Sequence, residues 1–144
     1  MDYLPTFFAN NLFLCSAFIV VLVMTIRAEI LHQSNKANDL SPLQATRFMN
    51  NENAIVIDVN DSKEFESGHI KSAINVPMAE LSSKMSDLEK YKNKAVLTCC
   101  KHGNQSSRAC KQLRKSGFNN TFNISGGLHS WLEANLPVTK TNKA

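Results

Sequence analysis

The sequence predicts a small α/β domain with a mostly parallel sheet and helices on both faces, preceded by one N-terminal transmembrane helix. Three observations carry that expectation. One apolar stretch near the N-terminus has no charged residue from Tyr3 to Ile26. Short apolar blocks at 54–59 and 95–99 read as buried strands, and 121–124 reads as a further strand. Between them lie segments with helical caps and helical apolar spacing, and strands alternating with helices in this way build parallel sheets.

Residues 7–26 hold 16 apolar positions of 20. As a helix they span about 30 Å, the thickness of a bilayer's hydrocarbon core. A cleaved signal peptide needs a basic n-region and a small-residue cleavage site. Here Asp2 is the only charge ahead of the run, and Arg27-Ala28-Glu29-Ile30 follows it. The expectation is an uncleaved anchor over 7–27, weighed against a signal peptide and a buried core helix. All 16 Lys and Arg lie at or after Arg27, against 11 acidic residues there, a net +5. The positive-inside rule therefore places the C-terminal domain in the cytoplasm, single-pass in the inner membrane, with residues 7–27 in contact with lipid.

Residues 28–40 are polar and read as a juxtamembrane linker. Ser41-Pro42-Leu43-Gln44 starts a helix, with Ser41 as cap, Pro42 at the first position and Gln44 closing a capping box. Leu43, Ala45, Phe48 and Met49 form its apolar face. Ala54 to Val59 reads as a strand buried on both faces. Asp61 to Ser67 is a short helix stopped by Gly68, and Ala73 to Val76 a short strand ended by Pro77. Ala79 to Tyr91 reads as an amphipathic helix with Leu81, Met85 and Leu88 on one face. Ala95 to Cys99 is a second buried strand. A loop over 100–105 leads into a basic helix, Ser106 to Ser116, with Gly117 at its C′ position. Thr121 to Ile124 is a strand, Ser125-Gly126-Gly127 a turn, and Leu128 to Asn135 the last helix. The domain is expected over 41–138, with a tail at 139–144.

Composition excludes several classes. With 19% charged and 43% apolar residues the chain is not a disordered polyelectrolyte. The net charge of +4 is mild, and no aromatic residues interleave with the basic helix, so no nucleic-acid partner is expected. The four cysteines, 15, 99, 100 and 110, lack the spacing of a stapled secreted domain, which favours a reducing compartment. The C-x₂-C spacing of a zinc site is missing, so no metal is expected.

In parallel α/β sheets ligands bind at the carboxyl ends of strands. Asp58 and Cys100 both lie there. Cys100 precedes the loop Lys101-His102-Gly103-Asn104-Gln105 and the start of a helix. That setting supplies inward backbone N–H groups, a helix dipole and two cationic side chains, all of which favour a thiolate nucleophile. Cys100 as a small buried hydrophobe is the competing reading. Cys99 and Cys110 read as packed, His69 and His129 as structural. Asp58 reads as a loop support that accepts backbone hydrogen bonds.

The order of segments resembles the rhodanese domain. The matching pieces are Ile57-Asp58-Val59, Glu64-Phe65-x-x-Gly68-His69-Ile70, Ala73-Ile74-Asn75-Val76-Pro77, and Val96-Leu97-x-Cys99-Cys100-x-His102-Gly103-Asn104. Gly117-Phe118 and Gly126-Gly127-x-x-x-Trp131 follow, with Leu136-Pro137. With its anchor the whole chain resembles the membrane-anchored single-domain bacterial rhodaneses. The resemblance implies a sulfurtransferase whose nucleophile is Cys100, not Cys99. Cys100 would take a sulfane sulfur from thiosulfate or a protein persulfide and pass it to a thiophilic acceptor. Lys101, His102, Gly103, Asn104 and Gln105 would bind substrate, the amides of 101–105 would hold the persulfide charge, and Asp58 and Ser106 would support the loop. No metal or organic cofactor is implied.

Three positions depart from the family pattern: Gln105 and Asn60 where Arg is common, and Ser72 for a usual Gly. Lys101 and His102 then fall to the anion contact. The C-x₅-R phosphatase loop of the same fold is out of register, since Gln105 and Ser106 occupy the positions six after Cys99 and Cys100. A rhodanese-like module that serves as a tethered protein-binding domain is the alternative, with an unidentified membrane-protein partner.

Overall fold

The computed structural model describes residues 11–36 and 38–141. Residues 7–10 of the expected anchor, and 142–144 of the expected tail, lie outside the described residues. The chain divides into two units near residue 37.

The first unit is one helix, α1 (Leu12–Lys36). Its stretch from Leu12 to Glu29 is long and apolar enough to cross a membrane, and none of those side chains is buried inside protein. A stop-transfer anchor and a signal sequence share that property. The helix continues to Lys36, so much of the segment read as a linker is helical.

The second unit is built around a five-stranded parallel sheet. Its elements in order are β1 (Asp39–Leu40), α2 (Pro42–Glu52), β2 (Ile55–Asp58), α3 (Ser62–Ser67), β3 (His69–Ile70), β4 (Ile74–Asn75), α4 (Met85–Leu88), β5 (Val96–Cys99), α5 (Asn104–Lys115), β6 (Thr121–Ile124), α6 (Gly127–Glu133) and β7 (Val138–Thr139). The sheet order is β1-β6-β5-β2-β4, all parallel. A small antiparallel pair, β3 with β7, ties the C-terminal end to His69 and Ile70.

Strand alternation sorts the core into two layers. Ile57, Val96, Ala109, Leu113 and Phe118 pack on the α5 face. Val56, Leu97, Ala45, Ile124 and Trp131 pack on the α2 and α6 face. β2 and β5 are buried along almost their whole length, as their β-branched sequences require. At α2 the capping box is formed: Ser41 Oγ accepts the Gln44 N–H at 3.3 Å, and Gln44 Oε1 accepts the Ser41 N–H at 2.9 Å.

The helix expected over 79–91 is not continuous. Turns run from Met78 to Lys84, α4 is one turn, and a 3₁₀ turn covers Glu89–Tyr91. The Ser83 hydroxyl donates to the Glu80 carbonyl at 2.9 Å, and that carbonyl also accepts the Lys84 N–H at 3.0 Å. Leu81 and Leu88 still reach the core. The strands β1, β3 and β7 were not expected; each has two residues.

Candidate active site

Register sets the site. Asp58 at the end of β2 is the direct partner of Cys99 at the end of β5. The residues that follow each strand therefore emerge side by side at the sheet's carboxyl edge. Alternation then separates the two adjacent cysteines. Cys99 is buried with Leu97 and Trp131, while Cys100 lies on the opposite face with Ala109 and Leu113. Burial, with Asp58 and Cys100 nearby, pushes the Cys99 thiol far up from its ordinary value. Cys110 is also pushed up, mainly by burial. Neither is suited to act as a thiolate.

Cys100 is only 3% exposed and lies at a pocket of about 320 Å³. Three donors converge on its Sγ: the Gly103 N–H at 3.1 Å, the Ser106 N–H at 3.3 Å and the Ser106 hydroxyl at 3.3 Å. The sequence expectation began the helix at Ser106; α5 starts at Asn104 with Gly103 as its cap. That shift puts the Ser106 amide in the first turn, where N–H groups have no partner within the helix. The helix dipole adds to the positive potential at the sulfur.

The loop is held by close backbone approach. Gly127 has φ +60°, and a Cβ there would lie 2.1 Å from the Cys100 carbonyl oxygen and 2.7 Å from the Gly103 nitrogen. The Leu128 and His129 amides donate to the Cys100 and Lys101 carbonyls at 2.8 and 3.0 Å. Thus Gly126-Gly127 lets the start of α6 seat the cysteine loop, and Gly103 itself sits at φ +88°.

The expected site residues separate into three groups. Gly103 and Ser106 touch the sulfur. Lys101, His102, Asn104 and Gln105 line the pocket and are exposed. Asp58 does not hold the cysteine loop directly. Its Oδ1 accepts the Asn60 N–H at 2.9 Å, an Asx-type turn closed two residues on, and its Oδ2 has no hydrogen-bond partner among the described residues. Burial raises its carboxyl above the ordinary value. Asn60 makes the connection: its Oδ1 accepts the Lys101 N–H at 3.0 Å. The Lys101 amide is therefore committed to Asn60, so the amides aimed at the sulfur are those of Gly103 and Ser106.

Asn60 and Glu64 also line the pocket, and neither was chosen from sequence. Glu64 Oε1 lies 3.3 Å from Lys101 Nζ, so the pocket's lysine faces a carboxylate. The β2–β5 register is the signal that finds them, since it brings the residues after Asp58 beside those after Cys99. His69 is buried, donates Nδ1–H to the Phe65 carbonyl at 2.8 Å and stacks on Phe65. His129 is exposed, edge-on to His102 and 3.4 Å from Glu133. Among the described residues no group of three or more His, Cys, Asp and Glu is placed to hold a metal.

The fold and site define a class: α/β domains that seat a cysteine under helix amides at the carboxyl edge of a parallel sheet. Residues 41–134 match the Rhodanese-like domain family. The protein YibN of Escherichia coli (strain K12) is 29% identical over 141 residues, covering 97% of this chain and 99% of YibN. Thiosulfate sulfurtransferase GlpE of Coxiella burnetii (strain RSA 331 / Henzerling II) is 30% identical over 104 residues, 72% of this chain and 94% of GlpE. The crystal structure of a rhodanese-related protein from Thermoplasma volcanium superposes with a TM-score of 0.65 at 30% identity, over 71% of this chain and 97% of that one. This chain belongs to the rhodanese-like domain family, which includes sulfurtransferases.

Proposed function

We propose that the protein is a membrane-anchored sulfurtransferase that carries a sulfane sulfur on Cys100. The observation that supports this most is the convergence of two amides and one hydroxyl on a single cysteine sulfur at the floor of a pocket. Such donors complement the negative Sγ of the thiolate that attacks the donor and that leaves again when the persulfide is discharged.

In the first half-reaction the Cys100 thiolate attacks the outer sulfur of thiosulfate or of a persulfide. The donor's S–S bond breaks, and sulfite or the donor thiolate leaves with the electron pair. Cys100 becomes a persulfide whose outer sulfur lies in the pocket. In the second, cyanide or a thiolate attacks that sulfur, the new S–S bond breaks, and Cys100 leaves as thiolate. Both halves conserve charge and need no cofactor. Lys101 faces Glu64, so backbone and neutral side-chain donors carry more of the anion contact than a fixed cation does.

The reading places residues 7–27 in the inner membrane and the domain in the cytoplasm, on the charge bias of the sequence. Carbonate extraction tests the first part, and protease access from each side of the membrane tests the second. The activity test is thiosulfate-to-cyanide transfer by the full chain in detergent micelles. Cys100→Ser should abolish turnover, and Cys99→Ser should retain most of it. The reverse result would assign the nucleophile to Cys99. No turnover by the wild type would favour a tethered binding module.

A further inference from the structure

We propose that the exposed face of α5 docks an acidic protein segment that presents the acceptor thiol to the Cys100 persulfide. The proposal rests on the persulfide reading above and names the class of acceptor for it. At about 100° per residue, Arg108, Lys111 and Lys115 fall within an arc of about 60° on the same side of the helix as Asn104. All four residues are exposed, and Asn104 lines the Cys100 pocket. The basic row therefore begins at Arg108, about 6 Å along the helix from Asn104 at the pocket mouth, and runs about 10 Å further.

Charge is one-sided on this face. The helix carries Arg108, Lys111, Arg114 and Lys115 and no acidic residue. Arg114 turns inward and donates to the Thr121 carbonyl, which leaves the other three as the outward row. None of those three is in an ion pair among the described residues, whereas Lys84, Lys92 and Lys101 each face a glutamate. Around α3, the exposed Lys63 and the Lys101 ion pair offset Asp61 and Glu64, so the unbalanced positive charge lies on α5. A partner with an acidic surface is thus attracted over α5, and its approach is set by charge.

The occupant is a protein thiol because of where the row begins. A segment that neutralises Arg108, one helical turn from Asn104, also reaches the pocket mouth. A lipid headgroup there would close the pocket without supplying a nucleophile. A cysteine on an acidic segment would supply one: its thiolate attacks the outer sulfur, the persulfide S–S bond breaks, and Cys100 leaves with the electron pair. The product is a persulfide on the acceptor, with no oxidant or reductant consumed.

The test uses the full chain in detergent micelles, charged from thiosulfate, with two synthetic cysteine peptides as acceptors. In one the cysteine is flanked by Asp and Glu, in the other by Lys. The acidic peptide should be the better acceptor by about tenfold or more at low salt, the scale of electrostatic steering. High salt, which shortens the Debye length to about 3 Å near 1 M, should remove most of that preference. The triple variant Arg108→Gln, Lys111→Gln, Lys115→Gln should also remove it while leaving cyanide turnover unchanged. The single variant Lys111→Glu should give the same trend if the triple variant folds poorly. Equal use of both peptides by wild type, or a preference that survives the substitutions, would overturn the proposal. So would a variant that loses only its binding to anionic phospholipid vesicles, since the row would then face lipid. Failure of the persulfide reading shows separately, as no loading from thiosulfate and no cyanide turnover in any variant.

Discussion

Removing the Ser106 hydroxyl isolates one of the three contacts at the reactive sulfur. Ser106→Ala leaves both amides in place, because they belong to the backbone. It deletes a donor 3.3 Å from Sγ at a fully buried position. A hydrogen bond to a charged group contributes about 1.5–3 kcal/mol. At 3.3 Å to a large, diffuse sulfur the lower figure applies, about 1.5 kcal/mol, or about tenfold in rate. The hydroxyl is not required for the fold, since Ala fits the same space and Thr98 bonds to the Ser106 carbonyl rather than to its side chain. The assay is single-turnover release of sulfite after mixing with thiosulfate. The expected result is about a tenfold slower burst with a thermal midpoint within a few degrees of wild type. A burst within twofold of wild type, from a protein that melts normally, would refute the view that these donors stabilise charge on Cys100.

Other predictions follow from the same geometry. Gly127→Ala should melt far below wild type and lose transfer together, because its Cβ would meet three backbone atoms of the cysteine loop; a normal melting curve would show that the loop can move aside. Asn60→Ala should slow transfer several-fold and cost about 1 kcal/mol in denaturant unfolding, since the Lys101 N–H loses its acceptor. Glu64→Gln should lower KM for thiosulfate with little change in kcat, because Lys101 would no longer face a carboxylate; the pair is exposed, so stability should stay within about 0.5 kcal/mol. Asp58 is raised from its ordinary 3.8 by burial, so the folded state binds that proton more tightly than the unfolded chain. Its contribution to stability is fully present below pH 3.8 and is lost as pH rises through the raised value. Asp58→Asn should therefore flatten the loss of stability above pH 3.8, read by urea unfolding at a series of pH values.

The sequence was legible where one residue type decides the structure. The blocks at 54–59 and 95–99 are mostly apolar, and at four to six residues between turn signals they suit a strand buried on both faces. Ser41, Pro42 and Gln44 define a helix start by capping chemistry alone. The strands β1, β3 and β7 left no such mark, because two residues cannot show a period and their pairing is fixed by tertiary contact. Over 79–91 the apolar spacing of Leu81, Met85 and Leu88 predicts a helix, but burying Leu81 and Leu88 needs only turns and one helical turn there. At the site, the local part was readable: Cys100, its glycine and the helix that follows lie within a few residues. Asn60 and Glu64 come from a different crossover and reach the pocket only through the β2–β5 register. Asp58 was placed at the correct sheet edge, but its carboxyl bonds its own turn, one step removed from the cysteine loop.

The most direct test of the account is the intact mass of the full chain after thiosulfate, with Cys100→Ser treated alongside. The account predicts a gain of one sulfur atom in the wild type, removed by cyanide and absent from the variant. No gain in the wild type, or a gain that persists in Cys100→Ser, would contradict it.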